Sequence, residues 1–190
     1  MQRLLGSFFI ALVLALTALT SQADSYNEAI ASFKAADESA AFFSKSYGYA
    51  VFPTIGKGGI GIGGAHGKGR VYAGGKHVGN SSMTQVTLGF QLGGQAFSQI
   101  IFFEDARALQ EFTSGNFEFS AQATAVAITA GVSAEANTGG GATAGASGGS
   151  NNANMVHGGF RKGMAIFTVA KGGLMYEAAL GGQKYTYTAQ

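Results

Sequence analysis

The sequence predicts an α+β fold: an N-terminal helix packed on a largely antiparallel, strongly curved, Gly-rich β-sheet, with a second short helix. Three observations lead there. Between Asp24 and Ser46 apolar residues recur every three to four positions, and beyond Gly48 they stop doing so. From Tyr49 onward apolar residues come in short alternating runs separated by glycines. Glycine supplies 31 of 190 residues and proline only one, Pro53. The glycines do not recur every third residue, so the chain is not collagen-like; they suit tight turns and close backbone contacts between strands.

The first helix is expected over 24–46, with Tyr26, Ala29, Ile30, Phe33, Ala36, Ala40 and Phe43 near one face. Asp24, Ser25 and Glu28 suit its start, because carboxylates stabilise the positive end of a helix. Tyr49–Phe52 is a short apolar strand closed by Pro53. In the run from Lys57 to Gly64, Ile60 and Ile62 point to one side, while Gly59, Gly61 and Gly63 leave the other side bare. A bare strand face lets another backbone or a helix lie close. Gly67-Lys68-Gly69 reads as the turn of a hairpin into Arg70–Ala73.

Thr84–Phe90 alternates with Val86, Leu88 and Phe90 on one side, and Gln99–Phe103 reads as a buried strand. Glu104–Phe112 reads as the short helix, with Asp105 in its first turn, Ala108, Leu109 and Phe112 inward, and Gly115 to end it. Phe117, Phe119, Ala121 and Ala123 alternate along one strand expected to continue to about Val132. Thr138–Asn154 holds only Gly, Ala, Ser, Thr and Asn, and reads as a flexible loop. Gly163–Val169, Leu174–Leu180 and Lys184–Thr188 read as the last strands, with turns at Gly172-Gly173 and Gly181-Gly182. A single domain over 24–190 is expected.

The N-terminus has a different reading. Arg3 is followed by an apolar stretch from Phe8 to Leu19 and by Ser21-Gln22-Ala23, the pattern of a secretory signal peptide over 1–23. The apolar stretch is shorter than the roughly 20 residues of a membrane span; an uncleaved anchor is the alternative. Cleavage after Ala23 places the working chain, Asp24 to Gln190, in the periplasm or cell envelope. Without Arg3 that chain has 11 basic and 10 acidic residues, which gives no general attraction to nucleic acid or to acidic membranes. The absence of Cys removes disulfides and thiolate metal sites.

Motifs of catalysis are sparse. Gly59, Gly61 and Gly64 satisfy GxGxxG, but a dinucleotide site needs a helix directly afterwards, and Ala65–Arg70 reads as turn and strand. A phosphate-binding loop at Gly67-Lys68 fails because Ser or Thr is replaced by Gly69, and the first Gly by Ile62. His66, His77 and His157 form no metal-binding pair, and no serine stands in a GxSxG elbow. Neither an enzyme activity nor a cofactor is expected. What remains is basic: Lys57; Lys68 with Arg70 and Lys76; Arg161 with Lys162 and Lys171. All stand near Gly-rich segments read as turns. Glycine amides beside cationic side chains can hold a phosphate group. Ordinary solvated charge is the simpler reading for any one of them.

Gly48-Tyr49-Ala50-Val51-Phe52-Pro53, then Lys57–Gly64 and Gly67-Lys68-Gly69, resemble the core of the SYLF domain family. Leu88–Gln95 running into Ile100–Phe103, and Lys171–Ala178, resemble its bacterial members. The resemblance covers about residues 40–187. It implies a non-enzymatic phospholipid-binding module, with phosphoinositide and sometimes actin binding in eukaryotic relatives. For an exported chain it implies envelope phospholipid and no actin. Eukaryotic relatives place a basic amphipathic segment at the N-terminus; here Asp24, Glu28, Asp37 and Glu38 outnumber Lys34 and Lys45. That departure predicts a helix packed on the sheet, leaving contact with anionic phospholipid membranes to the basic turns. The alternative is a structural or protein-interaction module of the envelope that uses exposed sheet edges.

Overall fold

The computed structural model describes residues 25–60, 62–88, 95–119, 125–128, 159–171 and 180–190. The expected signal peptide, the 138–154 loop and the 174–180 strand lie outside them, apart from Leu180. The helical segment comes first: α1 over 25–35, α2 (Asp37–Ala40) and α3 (Phe42–Lys45). Eight strands follow: β1 (Gly48–Ile60), β2 (Ile62–Ala73), β3 (Lys76–Leu88), β4 (Gln95–Phe103), β5 (Phe117–Glu118), β6 (Val126–Ile128), β7 (Met164–Lys171) and β8 (Gln183–Ala189). Helix α4 (Ala106–Phe112) lies between β4 and β5.

The strands form one sheet in the order β5-β8-β3-β2-β1-β4-β7-β6, antiparallel throughout except for the parallel β6–β7 pair. It curls into a half-barrel. Three strands separate β4 from β8, which would hold them about 19 Å apart in a flat sheet. Yet Gln99 Nε2 on β4 donates to the Tyr185 hydroxyl on β8 at 2.9 Å. The concave face carries the larger core, including Phe52, Ile55, Met83, Ile101, Phe103 and Tyr185, and α4 caps it with Ala108 and Phe112. The convex face carries a second core. There Tyr26, Ala29 and Phe33 of α1 cover Val51, Ile100, Phe102, Ala165, Phe167 and Val169. Phe33 is fully buried, and burying such a ring is worth about 1.5–3 kcal/mol.

Four expectations need correcting. The first helix is broken at Ala36, whose backbone is extended (φ −89°, ψ 124°). No Gly or Pro marks the break. The buried Ser39 hydroxyl donates to the Phe33 carbonyl at 2.6 Å, replacing a helical bond. The kink delivers Phe42 and Phe43 onto Phe102 at ring separations of 5.7 and 4.9 Å.

Pro53 does not close a strand. The registers of β1 with both β2 and β4 shift around it, so its missing N–H leaves no ladder bond unmade. Its carbonyl accepts from Ser98 Oγ at 2.7 Å. Gly67-Lys68-Gly69 is not a turn but the middle of β2. The hairpin turn is Gly74-Gly75, with φ of +56° and +77°, the two positive values of a tight two-residue loop. The single strand expected from Phe117 is divided: β5 lies at one edge of the sheet and β6 at the other. Residues 120–124 between them lie outside the described residues.

The short helix agrees with its sequence reading. Asp105 caps it by accepting from the Ala108 amide at 2.7 Å, and Gly115 follows with a φ of +94°. No helix among the described residues is long and apolar enough to cross a membrane.

Candidate functional site

Strand alternation decides which side chains β2 presents. Gly63, Ala65, Gly67 and Gly69 face the concave core, so Gly64, His66, Lys68 and Arg70 face outward. Ladder pairing then builds two rows on the convex face: Thr54, Lys68, Ser82 and Thr186; and, one step along, Arg70, Asn80 and Thr188. Lys68, Arg70, Asn80, Ser82, Thr186 and Thr188, with Tyr26 from the first turn of α1, line an open depression of about 370 Å³. Lys68 and Arg70 project from neighbouring positions on the same side of one strand, as period-two geometry requires.

The depression is electropositive and rich in donors. Among the described residues its lining includes no carboxylate, and neither Lys68 nor Arg70 makes an ion pair. The Ser82 and Thr186 hydroxyls bond each other at 2.7 Å, which uses one of their two hydrogens and leaves the other for a ligand. Arg70 lies over the Tyr26 ring at 4.2 Å. Burial raises the Tyr26 pKa above the ordinary phenol value, with Arg70 opposing the rise. The ring is therefore neutral at physiological pH and leaves the guanidinium charge uncompensated. Two cations, hydroxyls and an amide around an open hollow can hold an oxyanion such as a phosphate monoester or diester.

The structure separates the other basic residues. Lys171, at the end of β7, reaches the same face: its Nζ donates to Thr54 Oγ1 at 2.9 Å, and Thr54 pairs with Lys68. Lys57 shares the concave side of β1 with Ile55 and lies beside Gln95. Lys76 pairs with Ala73 at the far end of β3. Arg161 and Lys162 stand at that same far end, where Arg161 bridges Met164 and Lys162 has a φ of +51°. Of the seven basic candidates, Lys68, Arg70 and Lys171 share a face.

Sequence reading missed the neutral partners Asn80, Ser82, Thr186 and Thr188. Their signal was the polar alternation of β3 and β8, which shows its meaning only once register sets those strands beside β2. A second polar group also went unseen. Gln85, Gln99, Gln183 and Tyr185 hydrogen-bond to one another inside the half-barrel. Burial pushes the Tyr185 phenol far above its ordinary pKa. Gln99 Oε1 is buried there with no hydrogen-bond partner among the described residues.

His66 is exposed on β2, and His77 Nε2 lies 3.0 Å from the Gly79 carbonyl oxygen; His157 lies outside the described residues. No cluster of three potential metal ligands occurs among the described residues. No protein-family model matches the chain, and no curated protein matches its sequence.

Proposed function

We propose that the protein binds anionic phospholipid reversibly and without catalysis in the cell envelope, holding the lipid phosphate in the convex-face depression. The observation that carries this reading is the pairing of Lys68 and Arg70 over a hydroxyl-lined hollow with no carboxylate among its described residues. The resemblance to SYLF domains in residues 48–69 supports it and suggests phospholipid as the source of the phosphate. The contact is made by strand residues, not by Gly-rich turns. Glycine contributes differently: Gly67 and Gly69 face the core, so Phe52 and Ile55 pack against the β2 backbone beneath the two cations.

Co-sedimentation with vesicles tests the reading. A near-surface cation is worth about 1 kcal/mol toward an anionic membrane. Replacing Lys68 and Arg70 together by Gln therefore weakens binding by roughly 30-fold, and added salt weakens the wild type in the same direction. The Arg161→Gln/Lys162→Gln double variant, altered at the far end of the sheet, binds as the wild type does. Equal binding by both folded double variants would reject the depression as the site. A wild type that ignores vesicles of every head group would reject lipid binding.

A protein-interaction role has one specific observation in its favour. β5 pairs with β8 only at Lys184 and Tyr185, so the edge over Thr186–Ala189 has no strand partner among the described residues. An edge of that kind accepts another strand. Capture of a strand-forming peptide by wild type, lost on Thr188→Pro, would favour this role.

A further inference from the structure

We propose that the convex-face depression selects by head group: it takes a phosphodiester whose polar arm is a polyol such as glycerol, and discriminates against one bearing an ammonium. This rests on the phospholipid reading and adds the class of lipid that the site holds. The hollow is larger than a phosphate alone needs. Its volume of about 370 Å³ lies within the range of roughly 300–1,000 Å³ for pockets that hold a whole small ligand. A phosphate therefore enters with the group it carries.

The two walls of the hollow differ. Lys68 and Arg70 stand on β2, two residues and so about 6–7 Å apart along one strand. The facing wall is neutral. Ser82 pairs with Lys68 and Asn80 with Arg70, and Thr186 and Thr188 continue the same rows on β8. Adjacent strands lie about 5 Å apart. A phosphate held over β2 thus sets the first carbons of its polar arm over β3 and the end of the arm toward β8. The neutral side chains both donate and accept hydrogen bonds, as a hydroxyl of the ligand requires. A phosphate diester oxygen only accepts, so it leaves the accepting half of this wall unused. Asn80 and Thr188 are exposed, and neither side chain has a hydrogen-bond partner among the described residues.

An ammonium is poorly served by the same lining. Among the described residues it includes no carboxylate. An aromatic face is the other common seat for such a cation, and Tyr26 supplies the ring here. That ring is 5% exposed and already lies under Arg70 at 4.2 Å. Lys68 and Arg70 repel a further cation brought within about 5–7 Å, and like charges at that range near a protein surface change binding by about tenfold. A glycerol arm carries no charge and meets no such repulsion.

Two comparisons test the selection. The first is co-sedimentation with phosphatidylcholine vesicles containing equal fractions of phosphatidylglycerol or phosphatidylethanol. Both lipids are anionic phosphodiesters, so surface charge is matched, and phosphatidylethanol has neither hydroxyl nor amine. The wild type is expected to bind phosphatidylglycerol about three- to tenfold more tightly, the worth of one hydrogen bond or two. Asn80→Ala/Thr188→Ala and Ser82→Ala/Thr186→Ala are each expected to bring that ratio toward one, with unchanged circular dichroism spectra. The second comparison is competition by soluble head groups. Glycerophosphoglycerol is expected to displace the protein from phosphatidylglycerol vesicles at about tenfold lower concentration than glycerophosphoethanolamine.

Equal sedimentation of the wild type with the two anionic lipids would overturn the selection and leave the phospholipid reading standing. So would equal competition by the two soluble head groups, or an undiminished preference in both folded double variants. A wild type that ignores all vesicles yet binds glycerophosphoglycerol by calorimetry would support the head-group choice and reject membrane lipid as its source. A wild type that binds neither vesicles nor soluble phosphodiesters would overturn both readings.

Discussion

Replacing Gly69 by Ala tests whether the half-barrel closes as tightly as described. A Cβ at Gly69 would lie 2.5, 2.6 and 2.8 Å from three atoms of the Phe52 ring, where carbon atoms pack at about 3.5–4.0 Å. Relief needs a shift of about 1 Å. Phe52 cannot swing into solvent, because it is fully buried and its ring lies 5.5 Å from that of Tyr185. Overpacking of this kind costs about 1–3 kcal/mol. For a chain of this size that lowers the melting temperature by about 4–8 °C at the middle of the range. Gly58→Ala is the control. Its Cβ meets nothing within 4 Å, so reduced chain entropy in the unfolded state raises stability by about 0.4–1 kcal/mol or leaves it unchanged. Adding Phe52→Leu to Gly69→Ala should recover at least about 1 kcal/mol beyond additivity, because the shorter side chain vacates the contested space. Calorimetry of the wild type, the Gly69→Ala, Gly58→Ala and Phe52→Leu single variants and the double variant checks this. A Gly69→Ala protein that melts with the wild type, or strictly additive losses in the double variant, would refute the close approach of ring and backbone.

Tyr185→Phe removes a hydroxyl that donates to Gln183 Oε1 at 2.5 Å and accepts from Gln99 Nε2 at 2.9 Å; a loss of about 1–3 kcal/mol at neutral pH is expected in urea unfolding. The same phenol sets alkaline stability. Its folded pKa is raised, so its contribution is fully present below the unfolded value of about 10 and is lost as pH rises above it; Tyr185→Phe should therefore lose less stability than wild type between about pH 9 and 12. Phe33→Ala opens a cavity beneath α1, and about 3–5 kcal/mol of destabilisation is expected, with faster amide exchange concentrated in residues 25–35. Tyr26→Leu keeps an apolar cover but removes the ring under Arg70, and its cost by thermal melting should be near 1 kcal/mol.

Periodicity alone identified the helical start of the domain, because Tyr26, Ala29 and Phe33 must share a face to be buried. It likewise identified α4, whose Asp105 cap, Ala108 and Phe112 are local in sequence. Strand identity was legible for β4 and β7, whose apolar runs are long. Glycine misled in both directions. Gly67-Lys68-Gly69 looked like a turn, since a glycine that frees the backbone and a glycine that makes room for a ring are the same letter. The real turn at Gly74-Gly75 was a two-residue pair between strands and carried its signal unread. The candidate cations Lys68, Arg70 and Lys171 were visible as residues, but not as neighbours.

Composition and local pattern determined the class of fold, the helix that covers the sheet and the set of available charges. These follow from short-range rules, in which a side chain's direction depends on its own backbone. The tertiary structure alone decided that the sheet curls, that Gln99 meets Tyr185 across its hollow, and that Phe117 and Val126 begin strands at opposite edges. It alone set Lys68 and Arg70 against Asn80, Ser82, Thr186 and Thr188. Those outcomes depend on register between strands up to about a hundred residues apart, and a one-residue slip would turn every one of these side chains to the other face.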